Sequence, residues 1–297
     1  MTGKALAATL VLCGLGAAAC GGTAQGSAAD PARGGAASAA KSPAAGTTQN
    51  AAARSAPEAA EPAADAETAA AAGSSIGAKP LSGKVIVIDP GHNGQNYRHP
   101  AVINKKVNVL TQWKACDTTG TATANGYSEA AFTWDVSQRL VKILKSRGAT
   151  VKLTRDSNNG VGPCITERAA IGNKAKADAV ISVHADGSSP GNRGFHVIMP
   201  KKINGPVDPA VGASRKLGIS VRDAFKRGTG LPYSTYIGSS ALDFRNDLGG
   251  LNLSTVPKVF IECGNMKNPD EAAKFQQPAF RQKIALSLAD GMQNYLK

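Results

Sequence analysis

Lys84-Val85-Ile86-Val87-Ile88-Asp89-Pro90-Gly91-His92 is the stretch on which the reading of this 297-residue chain turns. Its unbroken β-branched run is the signature of a parallel strand buried on both faces. The run stops at Asp89-Pro90-Gly91, and His92 follows at once. Downstream, Ser128 caps a helix predicted to reach Arg147, with Phe132, Val136, Leu140, Ile143 and Leu144 at helical spacing and Gly148 as its stop. Thr150–Thr154 reads as a second strand and 165–177 as a second helix. Ala179–Val183 and Gly194–Met199 read as strands, 209–227 as a helix, Lys258–Glu262 as a buried strand and 270–296 as a terminal helix. Strands alternating with helices predict an α/β domain of three αβα layers around a mostly parallel sheet. Between His92 and Ser128 lies a polar stretch longer than most structureless loops, which suggests a hairpin or a rim beside a cleft.

Upstream of this strand the chemistry changes. Residues 21–80 hold 24 alanines, with Pro31, Pro43, Pro57 and Pro62 among them, and their only large aliphatic side chain is Ile76. Such a stretch cannot offset the roughly 1–2 kcal/mol per residue of backbone ordering, so it reads as a disordered tether. Residues 1–20 have a basic start at Lys4 and an apolar run from Ala5 to Ala19, the anatomy of an export signal. Cys20 follows three alanines and precedes Gly21-Gly22, as in a bacterial lipobox with Ala17 in place of the usual leucine; lipidation at Cys20 and plain cleavage nearby both remain open. The folded part is then 81–297, enough for one sizeable core as a single domain.

Export bears on the cysteines and on the charge. Cys116 and Cys164 sit in loop-like contexts, and an oxidising compartment favours a disulfide between them over two free thiols. Cys263, at an apolar strand end, reads as a buried small residue. Residues 81–297 carry 29 basic and 16 acidic side chains, so the net charge of +13 belongs to the folded part. That surface favours anionic partners. Neither an arginine-rich recognition helix nor an aromatic stacking motif is present, which argues against nucleic acid; for an exported protein the surplus points to an anionic wall polymer, with a generic solubility charge as the other reading.

In open α/β sheets, ligands bind beyond the carboxyl ends of the strands. Four ionisable groups fall there: His92 after the first strand, His184 after the 179–183 strand, Glu262 after the 258–261 strand, and Glu129 at the start of the first long helix. Glu129 shares the apolar stripe of its helix, so it points inward, where a bare carboxylate is costly unless paired or bound to metal. Two imidazoles and one carboxylate leave an open tetrahedral position, the arrangement of catalytic zinc, and a further carboxylate could take a proton from water. Taken singly, each residue has another account: a loop histidine, a helix cap, a core histidine bonded to backbone, and a strand-end carboxylate in a salt bridge. His99 reads as solvent-exposed, His196 as a structural strand residue, and Gly83 and Gly94 as turn residues.

The stretches Ile88-Asp89-Pro90-Gly91-His92, Ser128-Glu129-Ala130-Ala131-Phe132, Ser182-Val183-His184-Ala185-Asp186 and Glu262-Cys263-Gly264-Asn265-Met266-Lys267-Asn268, in this order, resemble the zinc-dependent N-acetylmuramoyl-L-alanine amidases, actinobacterial members above all. The resemblance covers 84–297. It implies a six-stranded, mostly parallel sheet flanked by helices, Zn²⁺ held by His92, Glu129 and His184, and Glu262 as the catalytic carboxylate. It also implies peptidoglycan as substrate. Arg168 matches a recurrent family arginine, with a salt bridge on the helix surface as the other reading. Asp186 stands where the family usually has asparagine and Asn265 where an aromatic is common, both expected to touch the cleft or the groups behind the ligands. The expected partners are peptidoglycan and anionic wall polymers, with the membrane reached only through a lipid on Cys20, and the expected state is an exported monomer.

The tether reading has a direct consequence. Deleting residues 23–78 should leave the melting temperature unchanged in a thermal denaturation scan, because that segment has no core to contribute.

Overall fold

The computed structural model describes residues 79–297, so the signal, Cys20 and residues 21–78 of the tether lie outside the described residues. In chain order the elements are β1 (Val85–Pro90), α1 (Pro100–Ile103), β2 (Lys106–Asn108), β3 (Trp113–Ala115), α2 (Glu129–Ser146), β4 (Thr150–Leu153), α3 (Ile165–Lys174), β5 (Ala179–Asp186), β6 (His196–Pro200), α4 (Val211–Thr229), β7 (Leu242–Arg245), α5 (Gly249–Asn252), β8 (Lys258–Asn265), α6 (Pro269–Phe275) and α7 (Pro278–Leu296). Among the described residues, no helix is long and apolar enough to cross a membrane.

Six strands form one sheet in the order β4-β1-β5-β8-β6-β7. The first four run parallel, β6 lies antiparallel to β8, and β7 is parallel to β6. The sheet is therefore mostly parallel, with one reversal between β8 and β6. Alternation along the strands divides the side chains between two faces. Ile86, Ile88, Ile181, Val183, Val259, Ile261, Val197 and Met199 point to one face. There they join Phe132, Val136, Leu140 and Leu144 of α2, Leu217, Val221 and Phe225 of α4, and Ile284 and Leu288 of α7 in the main core. The opposite face carries a smaller apolar cluster around Val87 and Val180, with Ile171 of α3 against it. It also carries the polar residues Asp89, Ser182, His184, Lys258 and Glu262.

The local signals work as expected for α2: Ser128 Oγ accepts from the backbone N–H of Ala131 at 3.2 Å, and the chain leaves the helix through Gly148 at φ +98°. Three expectations change. The terminal helix is two helices, because Pro278 cannot continue α6 and instead opens α7. The strand β7, placed by the sequence reading in no element, is half-buried at the sheet edge, where an amphipathic run of four residues gives little periodic signal. Gly94 does more than turn the chain, since a Cβ there would collide with the Asn158 carbonyl oxygen. The polar stretch after His92 does contain a hairpin, β2–β3, and the Cys116–Cys164 disulfide ties the end of β3 to the start of α3.

Beneath the strand ends lies a buried ion cluster. The Asp89 carboxylate, 2% exposed, accepts from Lys258 Nζ at 2.9 Å and from Arg168 Nη1 at 3.0 Å, with Thr154 and Ser182 hydroxyls adding 2.7 and 3.0 Å bonds. Burial alone would raise the Asp89 pKa; Lys258 and Arg168 outweigh it and hold the carboxyl far below the usual carboxylate range. Arg168 is thus a core residue, and the alternative of a surface salt bridge on its helix is excluded by its 5% side-chain exposure. Removing one partner of a buried pair typically costs about 3–5 kcal/mol. Lys258→Ala should lose stability of that order in a denaturant titration near neutral pH. Because the native Asp89 pKa is depressed, the cluster contributes fully above about pH 4, the unfolded carboxylate value, and its contribution fades as pH falls further.

Candidate metal centre and active site

Each ligand candidate is delivered by a different element. His92 leaves β1 at φ +57°, a left-handed conformation unusual for a side chain other than glycine. The neighbouring backbone makes room for it: a Cβ on Gly91 would run into the His184 ring, and one on Gly120 would stand 2.8 Å from both Glu129 Oε2 and His92 Cδ2. Glu129 is the first residue of α2 and is 4% exposed, as its place on the apolar stripe requires. His184 lies near the end of β5, its ring stacked on Phe260 at 5.2 Å between centroids.

The three meet at one point. Glu129 Oε1 stands 3.0 Å from His184 Nδ1, and Glu129 Oε2 stands 3.2 Å from His92 Nε2. Backbone N–H groups of Ala185 and Thr121 donate to the same two oxygens at 3.2 and 3.0 Å, fixing the carboxylate. One ligand atom from each residue lies within 4.8 Å of the others. Burial disfavours charge on His92, but the carboxylates of Glu129 and Asp117 overcome it and push its pKa up to about 10. Glu129 is held below its ordinary range by the two histidines despite burial, which acts the other way.

The outer nitrogens of both rings are also engaged. His92 Nδ1 donates to the Thr118 carbonyl at 3.1 Å and lies 3.3 Å from Asp117 Oδ1. His184 Nε2 donates to Ser182 Oγ at 3.2 Å, and that hydroxyl donates to Asp89 Oδ2. Arg168 closes the path, bonding Asp89 with one nitrogen and Asp117 at 3.3 Å with another. Orienting partners on the remote nitrogen are what a metal-binding imidazole needs. The donor set of two imidazole nitrogens and one carboxylate oxygen fits a borderline divalent ion such as Zn²⁺.

Glu262 stands in register with His184 on β5 and with His196 on β6, so it sits between them on the same face of the sheet. With His92, Glu129 and His184 it lines a cleft of about 390 Å³, together with Asp186, Arg245 and Phe260. Its Oε2 is buried and has no hydrogen-bond partner. Burial, reinforced by the negative charges of Glu129 and Asp186, pushes the Glu262 carboxyl well above its ordinary range. A buried acceptor left unpaired beside a set of ligands is the mark of a site that receives a cation, a water or a substrate group. A second, mainly apolar cavity of about 230 Å³ adjoins it, lined by His92, Lys114, Ala115, Ile165, His184, Leu248 and Phe260 among others.

All four site residues named from sequence thus converge. His99 is exposed and His196 is buried, as expected, and burial lowers the His196 pKa. Asp186 lines the cleft and accepts from Tyr236 Oη at 2.9 Å. Asn265 does not touch the site: fully buried, it donates to the carbonyls of Ser189 and Asn192 and so fastens the loop after β5. Sequence reasoning missed Asp117, Tyr236 and Arg245, which sit in loops or at an edge strand. For Asp117 a signal was available, since it directly follows Cys116, one of the two cysteines expected to pair.

Residues 86–294 match the family described as N-acetylmuramoyl-L-alanine amidase. Over 228 residues the chain is 39% identical to N-acetylmuramoyl-L-alanine amidase Rv3717 of Mycobacterium tuberculosis, with 75% of this chain and 91% of that protein covered. The crystal structure of the amidase Ami1 from Mycobacterium smegmatis matches with a TM-score of 0.69 at 39% identity, covering 73% of this chain and 98% of that one. The apo form of Ami1 from Mycobacterium abscessus gives 0.68 at 39% identity, covering 73% and 100%. On the strength of this fold, this cluster and these matches, the chain belongs to the N-acetylmuramoyl-L-alanine amidase family and is a hydrolase of the amide between N-acetylmuramic acid and L-alanine in peptidoglycan.

Proposed function

We propose that the chain performs this hydrolysis as a zinc enzyme, with His92 Nε2, Glu129 and His184 Nδ1 holding the ion and Glu262 as general base. The observation that carries the reading is the convergence of three ligating side chains whose remote atoms are already bonded, beside a carboxylate oxygen with no partner. A zinc ion held there would supply Lewis acidity toward the scissile carbonyl and toward water.

The chain's own residues do the rest. Glu262 accepts the proton of the attacking water, and then gives it to the alanine nitrogen as the C–N bond breaks. Its raised pKa suits the second of these tasks; a nearby cation lowers it and suits the first. Asp117 and Ser182 hold the two rings in the tautomers that leave the inner nitrogens free for the ion. Glu262 comes from a separate strand, β8, and stands beside the group of three.

We further infer that the enzyme works outside the plasma membrane in wall remodelling, autolysis or daughter-cell separation. The signal-like residues 1–20 and the Cys116–Cys164 disulfide support an exported protein.

The purified protein should hold about one zinc ion per chain by elemental analysis, and His184→Ala should lose most of it. Active protein without bound metal would overturn the zinc reading. Glu262→Gln keeps size and hydrogen-bonding capacity but cannot accept the proton at neutral pH. It should retain zinc and melting temperature while muramoyl-peptide cleavage, followed by mass analysis of the products, falls by roughly 10²–10⁴-fold. Loss of zinc in this variant would make Glu262 a ligand instead.

A further inference from the structure

The hairpin beside the cleft has a feature that the catalytic reading leaves unused. Six large hydrophobic side chains are well exposed among the described residues, and four of them, Tyr97, Val102, Leu110 and Trp113, fall within residues 93–116. The same segment carries Arg98, Lys105, Lys106 and Lys114 and contains no aspartate or glutamate. Trp113 is the most exposed of the six, at 64%. An exposed aromatic in a concentrated patch marks an interaction surface.

The strand that carries Trp113 is anchored. Trp113 pairs with Asn108 across the hairpin, as Ala115 pairs with Lys106, so Lys106, Asn108, Trp113 and Ala115 share one face. The other face, Val107 and Lys114, turns inward, and Lys114 Nζ bonds Asp247 at 3.1 Å. Asp247 is clamped in turn by two bonds from Arg245. At the tip, Val109 is fully buried and its carbonyl accepts from Asn252 Nδ2 at 2.8 Å. Thr111 Oγ1 donates to the Asn246 carbonyl at 2.7 Å, and the disulfide follows directly after Ala115. The indole is thus presented on an anchored strand, so the backbone needs little further ordering on binding.

Its position indicates the occupant. Ala115 and its neighbour Lys114 both line the cavity next to His92, so the end of β3 borders the cleft and the platform begins at its rim. The acyl side of the scissile amide belongs to a sugar of a polymer, and that polymer must leave the cleft over its rim. A flat aromatic ring flanked by an amide and an ammonium matches a sugar: the ring stacks on the C–H face while Asn108 and Lys106 meet hydroxyl and acetamido oxygens. We propose that the outer face of the β2–β3 hairpin, centred on Trp113 with Lys106 and Asn108, is a docking platform for the glycan strand of peptidoglycan. The proposal rests on the amidase reading for its substrate class.

Tryptophan occurs at only two positions, 113 and 134, which permits a direct test. In the full chain carrying Trp134→Phe, titration with the β-1,4-linked tetramer of N-acetylglucosamine should change the Trp113 emission in a saturable way. Trp113→Ala should pellet with purified sacculi about fivefold to tenfold more weakly than the parent chain, and Trp113→Tyr, which keeps a stacking ring, should recover most of the loss. An emission unchanged by the tetramer would overturn the proposal, as would undiminished pelleting of Trp113→Ala. A response to phosphatidylglycerol vesicles without one to the tetramer would overturn it too, by making the surface a membrane contact. Should Trp113→Ala fail to fold, the emission titration decides alone. Glycan binding through Trp113 without amide cleavage would sink the catalytic reading and leave the platform standing; cleavage without glycan binding would sink only the platform.

Discussion

Asp89 is a carboxylate almost sealed from water, and the rest of the site is built on neutralising it. Lys258 and Arg168 supply the compensating charge from β8 and α3, so two elements are drawn to the end of β1 by one electrostatic requirement. The same carboxylate accepts from Ser182, which receives His184, while Arg168 reaches on to Asp117, which faces His92. Both histidines therefore hang from a single charged path that passes beneath them. Their remote nitrogens are thus tied to the buried core.

The sheet separates two kinds of work by the simple period of a strand. One face is aliphatic and packs against α2, α4 and α7. The other carries the ion cluster near its centre and His184 and Glu262 at its carboxyl end. Glu129 belongs to neither face. It comes from the first turn of a helix on the aliphatic side and reaches over the strand ends, where backbone N–H groups of Thr121 and Ala185 receive its oxygens. This geometry explains why an acidic residue interrupts an apolar stripe.

Much of this was legible in the residues because the signals were local. The β-branched run of β1, the Ser128 cap and the apolar spacing of α2 each act within a few positions, and they placed His92 and Glu129 correctly. The reading failed where the cause was distant. For Arg168 two readings stood open, a family arginine and a surface salt bridge, until its partners, far away along the chain, were brought beside it. Strand β7 owes its existence to pairing with β6, for which four half-buried residues give scant periodic warning. Asn265 lies within a matching motif yet serves a loop, which only its buried partners could reveal. The break before α7, by contrast, was written in Pro278 and was overlooked because the apolar pattern runs through it.

Glu262 occupies a strand hydrogen-bonded on both sides, parallel to β5 and antiparallel to β6. A side chain there cannot drift along the cleft by loop motion. Moving it by one position would break two ladders and turn the carboxylate through to the aliphatic face, among Ile261 and Cys263. The Glu262 carboxylate thus has only two states available to its backbone: in place, or in a sheet that has come apart. The rim is accordingly the part of the cleft that can change, since its hairpin and loops can alter in length without disturbing the strand that carries Glu262.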